Sequence, residues 1–283
     1  MKTSLDDVRS LLFWKAVFAE FIGTFILVLA GIGSTVQGWT ADHIDIVQIS
    51  LSFGLCVATS VWIIGHISGG HINPAVTCAM LVTRKISLVR AILFVVAQSL
   101  GAISGAGILK AVTPALQVGG LGTTTLNTGV TEAQGLGIEL LITMVLILTV
   151  FAACDSKRTD LAGSFPLTIG FAVAIGHLFA VEFTGASMNP ARSLGPAVVM
   201  NIWTNHWIYW VGPITGGVLG GLLYDNILAS NASLMKARTC LMGSQFDDGE
   251  TPERKPDFKR TPDFKPLSTE EPKKSDDDDI LKS

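Results

Sequence analysis

The chain has 283 residues, of which 49% are hydrophobic and 15% are charged, whereas soluble domains average about 25% charged residues. Residues 236–283 hold 10 of the 20 Lys and Arg residues and 12 of the 23 Asp and Glu residues. The body of the chain is therefore much more apolar than its average. The net charge of −3 mainly describes one end, and it indicates no nucleic-acid partner.

Six segments are long and apolar enough to cross a bilayer, which takes about 20 residues of α-helix. In chain order they lie near residues 12–36, 47–65, 88–112, 136–154, 163–181 and 207–229. Two shorter apolar stretches, 73–82 and 189–200, are each about half a span. No segment alternates as the strands of a membrane barrel do. We predict an all-α integral membrane protein with six transmembrane helices and two re-entrant half-helices.

Basic residues lie at the start of the chain and around every second connection between the spans. They are Lys2, Arg9 and Lys15, then Arg84, Lys85 and Arg90, then Lys157 and Arg158. Basic loops stay on the cytoplasmic side, so we expect a multi-pass protein of the cell membrane with both termini in the cytoplasm. Lys110 and Arg192 are exceptions to this distribution.

Composition predicts three regions along the chain. These are a cytoplasmic N-terminus (1–11), a membrane domain (12–229) and a C-terminal tail (230–283). The tail is rich in Pro, Lys, Asp and Glu, repeats the sequence PDFK, and contains the acidic run Asp276–Asp279. Such a composition is typical of disorder, so we expect a disordered cytoplasmic tail.

The membrane domain is predicted to contain two copies of one unit, at about 12–113 and 136–229. AEFIGTF in the first resembles IELLITM in the second, and HINPAV resembles SMNPAR. Each unit holds three spans, an odd number, so the two copies enter the membrane from opposite sides. This inverted repeat is an architecture that places a site near the membrane midplane.

Each copy contains Asn-Pro-Ala, as Asn73, Pro74 and Ala75 in the first and Asn189, Pro190 and Ala191 in the second. Asn is a preferred N-cap and Pro suits the first helical position, so one copy alone would indicate only a capped interfacial helix. Two copies, each followed by half a span, instead predict half-helices that begin at membrane depth. Irregular backbone there must be buried in protein or line a water-filled cavity. The carbonyl groups expected to line it belong to Gly69, Gly70, His71, Ile72, Gly185, Ser187 and Met188.

From about Phe13 to Ala229, with both Asn-Pro-Ala copies, the chain resembles the aquaporins of the major intrinsic protein family, and within it the water-selective animal members. The resemblance implies that Asn73 and Asn189 lie where the two half-helix N-termini meet and donate N–H groups to a single file of water. Both helix dipoles would then repel cations there, and the forced orientation of a central water would interrupt proton transfer.

The family narrows its pore at four positions, which in this sequence are Phe53, His177, Ala186 and Arg192. Arg192 follows the second Asn-Pro-Ala directly, where the first copy has Val76. An arginine inside the membrane costs about 2.5–3.5 kcal/mol on insertion scales, so it indicates a functional site unless it snorkels to the interface. Taken alone, His177 and Phe53 would be packing residues. By the resemblance, the His177 ring beside Arg192 should exclude glycerol by size.

Glu20 and Glu139 are carboxyl groups within the first and fourth spans. Glu20 precedes Asn73 by 53 residues and Glu139 precedes Asn189 by 50. Neither has a visible acid, base or metal-ligand partner, so we predict no catalytic residue, no metal, no cofactor and no enzyme activity. The resemblance implies that the two carboxyl groups accept backbone N–H bonds from the loops before the half-helices.

These observations predict a water-selective channel for passive, osmotically driven transport that excludes protons and ions, with water and the lipid bilayer as partners. The resemblance also implies a homotetramer with one pore per subunit. An aquaglyceroporin that also passes glycerol or urea is the alternative. An ion channel or coupled transporter would need acidic residues along the pore, and a junctional protein that conducts little is disfavoured by the four filter residues.

Overall fold

The computed structural model of the protein describes residues 8–36, 45–158, 160, 163–229 and 232. In chain order the elements are α1 (Leu11–Gly33), α2 (Ile46–Ser68), α3 (Pro74–Val82), α4 (Leu88–Val112), a 3-10 turn (Ala115–Gln117), α5 (Glu132–Ala153), α6 (Phe165–Thr184), α7 (Pro190–Met200), α8 (Ile208–Leu223) and a π-helical turn (Tyr224–Leu228). No strand occurs within these ranges. The expected N-terminal region, apart from a few residues, and the expected tail, apart from Ala232, lie outside the described residues.

The predicted membrane helices are confirmed, with ends that differ by a few residues. Within the described ranges, five helices are long and apolar enough to cross a membrane, namely α1, α2, α4, α5 and α6. The sixth span is α8, which has only 16 residues. The π-helical turn continues it directly to Leu228, so together they reach the length that a bilayer requires.

Both half-helices begin where the sequence predicts. The side chain of Asn73 caps α3 by accepting a hydrogen bond from the Ala75 N–H, and Pro74 is the first helical residue. Asn189 caps α7 in the same way through the Ala191 N–H. A proline at the first position loses no hydrogen bond, because that N–H has no partner inside the helix.

Helix contacts in one half have counterparts in the other. Helix α1 packs on α4 as α5 packs on α8, and α1 packs on α2 as α5 packs on α6. Each half-helix packs on a long helix of the opposite half, α3 on α8 and α7 on α4. The two halves also meet where α2 packs on α6. This arrangement brings the two half-helices together in the middle of the molecule.

Glycines permit the closest helix crossings, as small residues do in membrane bundles. A Cβ on Gly54 of α2 would lie 2.6 Å from the carbonyl oxygen of Gly170 on α6, so the backbones touch where these residues meet. On α4, Gly101 and Gly105 lie against the α1 backbone.

A glycine pair on α8 lies against a half-helix. Gly217 and Gly221 on α8 lie against α3, at Ala75 and Ala79. Helix α8 contacts the α5 backbone through two other glycines. Gly216 lies against Leu140 and Gly220 lies against Met144. Helix α8 thus carries small residues on two faces and contacts a long helix and a half-helix at once.

Candidate functional site

The two loops that enter the half-helices share one backbone conformation. In the first loop, φ is positive at Gly69 (93°), Gly70 (64°) and Ile72 (45°). In the second, φ is positive at the equivalent residues Gly185 (79°), Ala186 (49°) and Met188 (50°). Left-handed backbone is uncommon outside glycine, and such strain clusters at functional sites where the surroundings hold it in place.

Glu20 of α1 holds the first loop. Its Oε1 accepts hydrogen bonds from the Ser68 hydroxyl at 2.6 Å and the His71 N–H at 2.9 Å. Its Oε2 accepts from the Ile72 N–H at 2.6 Å and the Gln98 amide at 2.8 Å. Four donors therefore converge on one buried carboxylate. It accepts hydrogen bonds from loop N–H groups that have no partner within a helix.

Glu139 of α5 holds the second loop in the same way. Its Oε1 accepts from the Thr184 hydroxyl at 2.7 Å and the Ser187 N–H at 2.9 Å. Its Oε2 accepts from the Met188 N–H at 2.9 Å. Each carboxyl group thus accepts two backbone N–H bonds from the loop before a half-helix.

The two half-helices are joined at their N-termini by their asparagines. The Asn73 Nδ2 donates to the Met188 carbonyl at 2.8 Å, and the Asn189 Nδ2 donates to the Ile72 carbonyl at 2.8 Å. Each amide thus commits one N–H to the opposite loop and keeps a second one. The Ile72 and Met188 carbonyls, predicted to line the pore, each accept one of these two hydrogen bonds.

Three of the four predicted filter residues lie in direct contact. The Phe53 and His177 rings stack with centroids 4.3 Å apart and an interplanar angle of 20°. The Arg192 guanidinium carbon lies 4.7 Å from the Phe53 ring centroid. All three side chains are at most 2% exposed, and Ala186 is fully buried in the second loop. The structure thus brings together residues from α2, α6 and α7.

The polar atoms of this cluster are only partly satisfied by protein. The Arg192 Nη1 donates to the Gly122 carbonyl at 2.6 Å. The His177 Nδ1 lies 2.9 Å from the Val173 carbonyl, which can only accept, so Nδ1 carries the hydrogen and Nε2 is the acceptor of a neutral ring. Among the described residues, neither the His177 Nε2 nor the Arg192 Nε has a hydrogen-bond partner, although both are buried.

The sequence analysis missed several residues that support the first loop. Gln98 of α4 is fully buried and donates to both Glu20 and the Thr77 hydroxyl. Thr77 in turn donates to the Asn73 carbonyl and lies 3.1 Å from the His71 Nδ1. A glutamine in the middle of an apolar span was an available signal, because polar groups inside membranes are costly unless they have partners.

A second network, also missed, supports the other loop. The Thr124 hydroxyl donates to Ser193, Ser193 to Ser187, and Ser187 to the Asn189 carbonyl. Thr124 lies in the connection between α4 and α5, as does Gly122, the partner of Arg192. The sequence of that connection contains no recognisable motif, so its contacts with Ser193 and Arg192 could be identified only from the structure.

The family model for the major intrinsic proteins matches residues 7–224, which include both half-helices and all of α8. The chain belongs to the major intrinsic protein family. As a member, it is 59% identical to mouse Aquaporin-4 over 227 residues, which are 79% of this chain and 70% of that protein. It is 57% identical to human Aquaporin-4 over the same length. It is 51% identical to the lens fiber major intrinsic protein of Lithobates pipiens over 222 residues, 78% of this chain and 84% of that one.

The family fold is also found by comparison with solved structures. The X-ray structure of the aquaglyceroporin from Plasmodium falciparum superposes with a TM-score of 0.70 at 23% sequence identity. It covers 76% of this chain and 96% of that one. At this identity the likeness shows the fold alone. Which solute the protein transports has to be inferred from the residues of its own site.

Proposed function

We propose that the protein is a channel for passive, water-selective transport across a membrane, and not an enzyme. The observation that carries this proposal is the pair of half-helices linked by Asn73 and Asn189 at their N-termini. Each asparagine keeps one N–H that can donate to a permeating molecule, and both positive helix ends converge on the same place. A water there accepts from the amides and turns both of its hydrogens outward.

That orientation separates water transport from proton transport. A proton moves along a water chain only if every water donates to the next in one direction, and the central water donates both ways. The converging dipoles and the buried Arg192 guanidinium add an electrostatic barrier to cations. The described residues place no acidic side chain in the cluster of Phe53, His177 and Arg192, where a cation pathway would need one.

The size of glycerol argues against the alternative function, that of an aquaglyceroporin. The Phe53 and His177 rings stack with centroids 4.3 Å apart and Arg192 lies over the Phe53 ring, so we infer that the opening beside them is narrow and polar. The unpaired His177 Nε2 accepts from water and the Arg192 N–H groups donate to it, which offsets the loss of hydration. A three-carbon polyol needs more width, so glycerol is not favoured as a substrate. Together with Ala186, these three residues form the proposed four-residue selectivity filter.

Stopped-flow light scattering on vesicles that contain the purified protein tests the proposal. After an osmotic step, protein-containing vesicles should shrink much faster than empty ones, with an activation energy close to that of water diffusion. Empty vesicles and vesicles with an unrelated membrane protein are the controls. Equal shrinkage rates in all three would refute water conduction.

The assembly and placement of the channel are part of the proposal. We infer a homotetramer with one pore per subunit, placed in the cell membrane with both termini in the cytoplasm. The basic connections near Arg84, Lys85 and Arg158 support this orientation, because such loops stay cytoplasmic. Native mass spectrometry would give the subunit number, and protease access to the tail in sealed cells would give the side.

A further inference from the structure

A lysine lies at the outer end of the second half-helix. Lys110, in the last turn of α4, donates from its Nζ to the Val199 carbonyl at 3.0 Å. Val199 belongs to the last turn of α7, where helix carbonyls have no partner inside the helix. A cation at this end also interacts favourably with the helix dipole. This contact accounts for a basic residue that the charge distribution of the loops left unexplained.

A second lysine lies beyond the outer end of the first half-helix. Helix α3 ends at Val82, and the Lys85 N–H then donates to the Met80 carbonyl at 2.8 Å. The Lys85 Nζ is 3.2 Å from Oδ1 of Asp225, whose side chain is only 7% exposed. It also lies 5.6 Å from the Phe151 ring centroid, within range of a cation–π contact. Asp225 is in the π-helical turn that continues α8.

The two contacts occupy equivalent places in the repeat. Gly101 and Gly216 make the same backbone approach in the two halves and lie 115 residues apart. The same spacing relates Lys110 to Asp225. Each is at the end of the long helix that packs on a half-helix of the opposite half. In both halves, therefore, a charged residue at the end of the long helix makes a contact at or just beyond the outer end of the neighbouring half-helix.

We propose that these contacts are two anchors that position the half-helices along the pore, Lys110 for α7 and the Lys85–Asp225 pair for α3. The inference rests on the proposed water conduction and adds positioning residues to it. A half-helix is short and its inner end carries the asparagine, so a shift of the outer end displaces the inner one. Helix α7 also carries Arg192, whereas α3 carries no filter residue. The two anchors therefore control different properties of the pore.

Vesicle assays of charge-removing variants test the anchors, with rates normalised to folded protein. Lys85→Met and Asp225→Asn should each lower water permeability by about a factor of two, while glycerol uptake stays at background, and the double variant should fall no further than the single ones. Lys110→Met should instead raise glycerol uptake by about a factor of two, because Arg192 shifts. Lys110→Arg and Lys85→Arg keep the charge and should restore normal values.

Lys157→Met is the matched control, since this lysine is exposed and its side chain makes no contact within the described residues. Hydrogen exchange gives a readout that is independent of conduction. Exchange should quicken in the last turn of α3 only for Lys85→Met and Asp225→Asn, and in the last turn of α7 only for Lys110→Met. Permeability and exchange equal to those of the control would overturn the anchors while wild-type conduction stands. Absence of wild-type conduction would instead refute the proposed function, and the exchange result would still decide the anchors.

Discussion

Replacement of Glu139 by glutamine is the most informative single change, because the structure fixes how many hydrogen bonds it removes. The carboxylate accepts from Thr184 and Ser187 on one oxygen and from Met188 on the other. Glutamine has one oxygen and one NH2 group. If the oxygen keeps Thr184 and Ser187, the NH2 faces the Met188 N–H, and two donors then oppose each other.

The cost can be worked from that geometry. The best orientation of the amide still leaves one buried backbone N–H without an acceptor, which costs about 1–3 kcal/mol. The bonds that survive lose the extra strength of a charged acceptor, so the total should be about 2–3 kcal/mol. For a chain of this size, that lowers the midpoint of thermal unfolding by roughly 5–10 °C. The Met188 carbonyl is the acceptor for Asn73, so displacement of this loop should also reduce water permeability.

Thermal unfolding in detergent and stopped-flow water permeability in vesicles measure the two effects. Glu182→Gln is the matched control, because this carboxyl group is exposed at the end of α6, near the same loop. It should change neither quantity. A Glu139→Gln protein with the melting midpoint and water permeability of the control would show that the carboxylate does not hold the second loop, and the reasoning from its three bonds would be wrong.

Three further outcomes follow from the cluster at the filter. Replacing Phe53 with Ala and His177 with Gly removes the stacked rings and should admit glycerol and urea in an uptake assay; an unchanged solute profile would mean that the filter is elsewhere. Arg192→Val removes the buried cation and should raise cation conductance in planar bilayers, whereas conductance at the wild-type level would contradict its role as a barrier. Mercury should inhibit only weakly, because none of the four proposed filter residues is a cysteine. Strong inhibition that disappears in a Cys78→Ser variant would locate the block on α3.

Much of the fold could be predicted from the sequence because membrane helices are specified locally. Apolar length predicted the spans, and the cap formed by Asn73 and Pro74 predicted where α3 begins. The last span was harder to delimit, since the α-helix ends at Leu223 and a π-helical turn completes it. A hydropathy pattern indicates how long an apolar segment is, but it does not show where an α-helix changes to a π-helix.

The site could be predicted only in part, because its residues meet across long stretches of chain. Phe53, His177 and Arg192 come from three helices, and no local pattern places their side chains together; the family resemblance supplied those positions. Gln98 could have been suspected from its place inside a span. Gly122 could not, because a backbone carbonyl in a loop has no sequence signature.

The central claim is that this pore passes water and excludes glycerol, and it is tested most directly by measuring both solutes on the same vesicles. Osmotic shrinkage in an impermeant solute gives the water permeability, and the rate of reswelling in glycerol gives the glycerol permeability. We predict rapid shrinkage with low activation energy, followed by reswelling no faster than in empty vesicles. Rapid reswelling in glycerol, or shrinkage at the rate of empty vesicles, would contradict it.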